Sequence, residues 1–150
     1  MSKIVVFDLD GVLADYRNRV PLVGQWDKYG EEMLNEPVIE HGKYLINCYG
    51  EDRDLSIYIV TGRVDERFRS ITATWLAKNG IKYDRLIMRP LAHADWPDNK
   101  VRYEQIRSLM SQHSVVCMYD DSPNNIVAVD PLGVNTCLVN FINKAASENA

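Results

Sequence analysis

Short apolar runs alternate along this chain with longer segments in which apolar and polar residues mix. Residues 4–7, 57–60, 86–88, 115–119 and 134–139 are brief and rich in β-branched side chains, and most run straight into Asp, Thr or Arg. These are expected to be buried strands. Between them, 38–49, 65–79, 99–112 and 123–129 have helical character. In the second of these, Phe68, Ile71, Trp75 and Leu76 recur at helical spacing and Gly80 supplies a stop. Strand–helix alternation with continuously apolar strands predicts an α/β fold of three layers, Rossmann-like, with a mostly parallel five-stranded sheet covered on both faces. No repeat or low-complexity segment interrupts the pattern. Residues 1–150 are expected to form a single domain, with the tail 143–150 frayed.

Ligands of open α/β sheets bind beyond the carboxyl ends of the strands. The first strand ends in Asp8-Leu9-Asp10-Gly11, the second in Thr61-Gly62-Arg63, and the fourth in Asp120-Asp121. Four carboxylates on one edge repel one another unless a cation lies among them, and oxygen ligands without His or Cys favour magnesium. A dianionic phosphate approaching a bare carboxylate is repelled too, by about 4 kcal/mol per charge pair at 4 Å and an effective dielectric of 20. A divalent ion offsets a term of that size and permits carboxylate attack on phosphorus. Each piece also has an ordinary reading. Asp-Gly is turn chemistry, Thr61-Gly62 can simply end a strand, and Asp120-Asp121-Ser122-Pro123 can start a helix with a capping Asp. The conjunction, in this order, is what points to phosphoryl chemistry.

Composition narrows the picture without redirecting it. Hydrophobic content of 46% and charged content of 25% are those of an ordinary globular chain. A formal net charge of −4 disfavours a surface coated in positive charge for wrapping long nucleic acid, though not a local basic pocket. Cys48, Cys117 and Cys137 show no metal-ligand spacing and sit in apolar runs, so buried free thiols of a reducing compartment are expected. Met1-Ser2-Lys3 leads directly into the first apolar run, without the pattern of a signal peptide, and no apolar stretch approaches membrane-spanning length. A cytoplasmic protein is expected.

Asp8-Leu9-Asp10-Gly11-Val12-Leu13-Ala14-Asp15 resembles the first motif of haloacid dehalogenase (HAD) superfamily phosphatases, D-x-D-G-[TV]-L. Ile59-Val60-Thr61-Gly62-Arg63 resembles the second motif and Met118-Tyr119-Asp120-Asp121 the fourth. The resemblance implies that Asp8 attacks phosphorus and forms an aspartyl phosphate. Asp10 would protonate the leaving oxygen and then activate water. Mg2+ would be held by Asp8, the Asp10 backbone carbonyl and Asp121, with Asp120 and Asn125 in support. Asn125 stands where many relatives carry Asp. Thr61 and the Gly62 amide would hold phosphate oxygens. Asp98-x-x-Val101-Arg102-x-Glu104-x-Ile106 resembles the third motif, D-x-x-V-K-x-E-x-[IL], which points to Arg102 as the neutralising base. Lys100 is the other candidate.

About 25 residues separate Asp15 from Val38 and about 20 separate Gly80 from Arg102. Neither stretch holds a sizeable cap domain, so the insert at 15–37 is expected to be short and the site open. Open sites suit phosphate on a large molecule. Within the superfamily the chain resembles the 3′-phosphatase domain of bacteriophage-type polynucleotide kinase/phosphatases, through D-x-D-G-x-L-A, Gly62-Arg63, the helix bearing Arg67, Arg69 and Thr74-Trp75, and Leu86-Ile87-Met88-Arg89. This implies a polynucleotide 3′ end as substrate. Arg63 and Arg89 would then contact phosphate, while Arg17 and Arg19 either line the approach or remain solvated. Tyr16, Trp26 and Tyr29 either stack on a base or pack the insert. No Gly-x-x-x-x-Gly-Lys-[ST] loop is present, so a kinase would be a separate partner. The alternatives are a 5′(3′)-deoxyribonucleotidase, another small-molecule phosphatase, and a non-catalytic HAD-fold binding protein.

Overall fold

Alternation within the first apolar run decides the architecture. In β1 (Ser2–Asp8), Ile4 and Val6 face one side of the strand while Val5 and Phe7 face the other, and all four are fully buried. A strand apolar on both faces belongs in the middle of a sheet covered twice. The computed structural model of the chain, which describes residues 1–142, places it there. The expected fraying of 143–150 lies outside the described residues. The five strands are β1, β2 (Leu55–Val64), β3 (Arg85–Arg89), β4 (His113–Asp120) and β5 (Thr136–Leu138). They pair in the order β3-β2-β1-β4-β5, and every pairing is parallel.

Five α-helices are described: α1 (Trp26–Asn35), α2 (Glu40–Tyr49), α3 (Asp65–Lys78), α4 (Asp98–Met110) and α5 (Pro123–Val129). Ile46 of α2 with Trp75 and Leu76 of α3 bury against the Val5/Phe7 face. Ile106 of α4 and Val129 of α5 bury against the Ile4/Val6 face, which completes three layers. Helix α3 stops as its sequence requires: Gly80, at φ +68°, turns the chain, and the Ile81 amide donates back to the Leu76 carbonyl at 3.1 Å. No described helix is long and apolar enough to cross a membrane.

Two local expectations are corrected. The second strand does not end at Val60: it resumes pairing with β3 at Val64 opposite Arg89 after a register shift, so Thr61-Gly62-Arg63 forms an irregular stretch inside β2. The insert contains a short 3₁₀ turn (Arg17–Leu22) followed by α1, and the described residues hold no large cap, as expected. The cysteines are not a buried set, since Cys48 and Cys137 are exposed and Cys117 is half-buried. Cys48 lies two positions beyond buried Ile46, on the other side of α2, and Cys137 lies on the edge strand β5.

The turn after β1 is closed by hydrogen bonds from the Leu13 and Ala14 amides to the Leu9 carbonyl, at 2.8 and 3.0 Å. Helix α2 packs directly on this turn, because a β-carbon at Gly42 would overlap the Val12 carbonyl oxygen. Gly42→Ala is expected to lower stability by about 1–3 kcal/mol, as overpacking does, and urea unfolding measures it. An unchanged midpoint would mean that α2 does not bear on the turn that carries Asp10.

Candidate active site

The register of β1 against its two neighbours places the acidic residues together. Asp8 pairs with Val60 on one side, and Phe7 pairs with Tyr119 on the other, which brings Asp8 level with Asp120 at the strand ends. Carboxylate oxygens of Asp8, Asp120 and Asp121 lie within 4.8 Å of one another. Burial pushes the Asp8 carboxyl well above the usual range; Asp120, Asp121 and Asp10 push it further, and Arg102 opposes them. Three carboxylates this close, one raised by burial and then by its acidic neighbours, form a group able to hold a metal ion, and the all-oxygen donor set suits a hard divalent cation.

Arg102 reaches this group from α4. It is buried, donates from Nη2 to Asp8 Oδ1 at 2.9 Å and to the Val60 carbonyl at 3.2 Å, and pairs through Nη1 with Asp120. Gln105, one turn along α4, donates to the Thr61 carbonyl at 2.9 Å and accepts from Arg102 Nε at 3.3 Å. Lys100 lies elsewhere: it is exposed, with Nζ 4.0 Å from the centre of the Trp96 ring. Asp120 is engaged on both oxygens. Oδ1 accepts from the Ser122 amide at 3.0 Å, while Oδ2 takes Arg102 and the Asn125 side chain, the latter at 3.2 Å. The cap of α5 is Ser122, whose hydroxyl accepts from the Asn125 amide, and not an Asp. Gly11, at φ +86°, lets the chain turn where a β-carbon would collide with the Asp121 carboxylate.

Asp10 occupies a different environment. Arg63 grips it with Nε at 3.2 Å and Nη2 at 2.7 Å, and Arg19 pairs with the same carboxylate. Burial pushes Asp10 up, but Arg63 and Arg19 outweigh it and hold the carboxyl at about 2. Behind the arginines lies Glu36, whose side chain is fully buried. Its Oε2 accepts from Arg63 Nη2 at 3.2 Å, and its Oε1 sits 2.8 Å from Arg19 Nε, close enough for an ion pair but off-axis for a hydrogen bond. Arg17 is exposed and pairs with Asp15 at 2.6 Å.

A cleft of ≈ 780 Å³ opens over Asp8 and Asp10. Gly62, Arg63, Arg89 and Arg102 line it, as do Asp121 and Asn125. Thr61 is fully buried, and its hydroxyl accepts from the Arg63 amide at 3.2 Å. Arg89 holds the opposite wall together, donating to the Ala94 and Trp96 carbonyls at 3.1 Å each and pairing with Asp98. Tyr16, Trp26, Tyr29 and Phe68 form an aromatic wall, with Trp26 44% exposed and the Arg67 guanidinium 5.4 Å from its ring centre. Sequence reasoning missed Glu36 and Gln105, and left Arg19 between cleft and solvent. The available signal was the helical spacing of Trp26, Tyr29 and Met33, which would have fixed α1 and put Glu36 at its end.

The model of the polynucleotide kinase PNKP phosphatase domain matches residues 2–141. The chain belongs to this family. It is a phosphatase domain of HAD type, and solved structures agree with the fold. A chain in the structure of the Pnkp1/Rnl/Hen1 RNA repair complex superposes with a TM-score of 0.75 at 21% identity, over 95% of this chain and 44% of that one. This chain therefore spans less than half the length of that relative. L-2-haloacid dehalogenase from Xanthobacter autotrophicus gives 0.65 at 12% identity, covering 97% and 80%. A HAD family enzyme from Bacteroides thetaiotaomicron, solved with magnesium and inorganic phosphate, gives 0.55 at 13%, covering 97% and 98%. No curated protein sequence matches the chain.

Glu36 makes a pH prediction for the family member in hand. Burial pushes its carboxyl up to about 7 even with Arg19 and Arg63 beside it. Between its ordinary 4.5 and about 7, the folded protein keeps a proton that the unfolded chain gives up. Glu36 therefore subtracts stability as pH rises through that window, with the full cost present only above it. Urea midpoints of wild type and Glu36→Gln are expected to diverge in favour of the variant from pH 5 to pH 8. Parallel curves would contradict the burial of this carboxyl.

Proposed function

We propose that this phosphatase domain removes the terminal 3′-phosphate of polynucleotides, with magnesium, through an aspartyl phosphate on Asp8. The observation that carries the reading is the pairing of a buried Asp8, backed by Arg102, with an Asp10 held two residues away by two other arginines over one open cleft. Arg102 takes Asp8 Oδ1, which leaves Oδ2 to form the bond to phosphorus as the bond from phosphorus to the sugar oxygen breaks. Asp10 gives its proton to that leaving oxygen. In the second step Asp10 takes a proton from water, whose oxygen displaces Asp8 and releases inorganic phosphate.

Asp8, Asp121 and the Asp10 backbone carbonyl would hold the magnesium, with Asp120 and Asn125 supporting. Asp120 takes Arg102, Asn125 and the Ser122 amide, which fits a supporting place beside Asp121, the residue just past β4. When bound, the ion supplies the charge that lets a phosphate dianion approach carboxylates. Arg102 serves as the motif-three base, which the placement of Lys100 over Trp96 supports. Gly62, Arg63 and Arg89 line the cleft where phosphate oxygens would lie, and Thr61 supports Arg63 from within the strand.

The polynucleotide reading rests on the open cleft and the exposed Trp26 at its rim, on which a base can stack. The relative in the RNA repair complex has the same direction. Any kinase partner would carry its own phosphate-binding loop, since these 150 residues hold none.

The deciding experiment measures magnesium-dependent phosphate release from a 3′-phosphorylated oligonucleotide beside free 3′- and 5′-mononucleotides. Asp8→Asn is expected to lower turnover by about 10³-fold or more, and chelation of the metal to abolish it. Near-normal turnover in Asp8→Asn would rule out the covalent route, and preference for mononucleotides would replace the polynucleotide reading with a nucleotidase. Trp26→Ala is expected to raise KM for the oligonucleotide about 10-fold, within the 1–3 kcal/mol of one stacked base, and to leave nitrophenyl phosphate unchanged. Equal effects on both substrates would remove Trp26 from base contact.

A further inference from the structure

We infer that Glu36 is a positioning residue for Asp10, acting through Arg19 and Arg63; this rests on the reading of Asp10 as the proton donor above. Its place in the chain is fixed independently of the cleft. Glu36 ends α1 in extended backbone, its carbonyl accepts from Trp75 Nε1 at 3.0 Å, and Pro37 follows. From there the side chain points inward to meet both arginines and does not line the cleft. It therefore cannot touch substrate, and any influence it has must pass through its partners.

Those partners form a closed ring of alternating charge: Asp10, Arg63, Glu36, Arg19 and back to Asp10. Arg63 Nη2 is shared, reaching Asp10 Oδ1 at 2.7 Å and Glu36 Oε2 at 3.2 Å. The other Arg63 terminal nitrogen is tied to Thr72 Oγ1 at 3.0 Å. Arg19 lies against Tyr29, its guanidinium carbon 5.0 Å from the ring centre, but its Nη1 is buried without a hydrogen-bond partner, and Glu36 Oε1 is what faces its Nε. Without Glu36 the two guanidiniums would have Asp10 as their only anionic partner, and the angle at which they hold its carboxylate would be less fixed. Glu36 offers one carboxylate oxygen to each guanidinium and so fixes the direction from which both approach Asp10. An amide cannot do this, because it has one acceptor oxygen and presents a donor to the second arginine.

Glu36→Gln tests the assignment, with Asp10→Asn run alongside. The variant is expected to unfold cooperatively at pH 8 with no loss of stability. Its kcat on the 3′-phosphorylated oligonucleotide should fall about 10–100-fold, the scale of a misaligned catalytic group, with KM unchanged within about two-fold. Nitrophenyl phosphate, whose leaving group needs no proton, calls on Asp10 only in the hydrolysis step, so the fall there should be smaller by at least about three-fold. Glu36→Asp, which keeps both oxygens on a shorter arm, should recover part of the loss with the same substrate bias. Should Glu36→Gln fail to fold, that bias in Glu36→Asp carries the test. An equal loss on both substrates, or none, in the folded variant overturns the proposal. Bias in Asp10→Asn without bias in either Glu36 variant sinks Glu36 alone, whereas absence of bias in Asp10→Asn removes the proton-donor reading on which it rests.

Discussion

Two neighbouring parallel strands that both end in aspartate pose an electrostatic problem, and the solution organises this molecule. Asp8 and Asp120 are level at the sheet edge, both buried, with Asp121 within reach of both. Unit charges at about 4 Å repel by about 4 kcal/mol even at an effective dielectric of 20. Arg102 bridges the two strand ends, and it can do so only because α4 crosses the sheet at the height where a guanidinium reaches both carboxylates. Gln105 ties the same helix to the Thr61 carbonyl. Strand register, helix position and the buried cation are thus one arrangement. Moving any of them would leave a buried charge unpaired, which costs about 3–5 kcal/mol.

The two motif-one aspartates are set apart by their surroundings. Burial and acidic neighbours drive Asp8 up, while Arg63 and Arg19 hold Asp10 at about 2. Without ligands, that order is the opposite of what a nucleophile and a proton donor require. On the phosphatase reading, substrate and cation reverse it. Positive charge among Asp8, Asp120 and Asp121 favours an ionised Asp8. A phosphate competing for Arg19 and Arg63 weakens their hold on Asp10, which burial then pushes toward its protonated form. Proton donation would thus be coupled to occupancy of the cleft, because the same arginines serve Asp10 before substrate arrives and face phosphate afterwards.

The parts legible in the sequence are those where one local rule decides the outcome. Apolar runs with β-branched residues gave all five strands, and Asp8, Asp10, Asp120 and Asp121 could be placed because strand ends in an open sheet converge. Arg102 was separable from Lys100 by motif, and the structure puts only Arg102 against Asp8. What escaped depends on contacts between distant segments. Gly30 weakens the helical signal of α1, yet its missing side chain is what lets Ile71 of α3 come close. Nothing within the stretch around Glu36 says that a carboxylate there meets Arg19 and Arg63, whose segments lie on either side of it in sequence. Cys48 and Cys137 misled because an apolar neighbourhood along the chain is not a buried face: one occupies the outer side of a helix and the other an edge strand.

The insert after motif one behaves as a strut and not as a lid. Met33 is buried in the main core, Trp75 donates to the Glu36 carbonyl, and Lys78 donates to the Leu34 carbonyl at 3.3 Å, so α1 is fastened to α3 along its length. A segment tied down in this way cannot close over the cleft without losing buried apolar surface and these hydrogen bonds. Asp8 is buried at the base of the ≈ 780 Å³ cleft with Arg102 bonded to it, and the insert does not cover the cleft. A site of that kind gains little selectivity from enclosing a small substrate. On the polynucleotide reading it gains more from what a large one can lay along the wall, where Trp26 of α1 and Arg67 of α3 present an exposed ring and a cation suited to a base and its backbone. The same strut ends in Glu36, so the element that would receive the body of the substrate also braces the two arginines around Asp10.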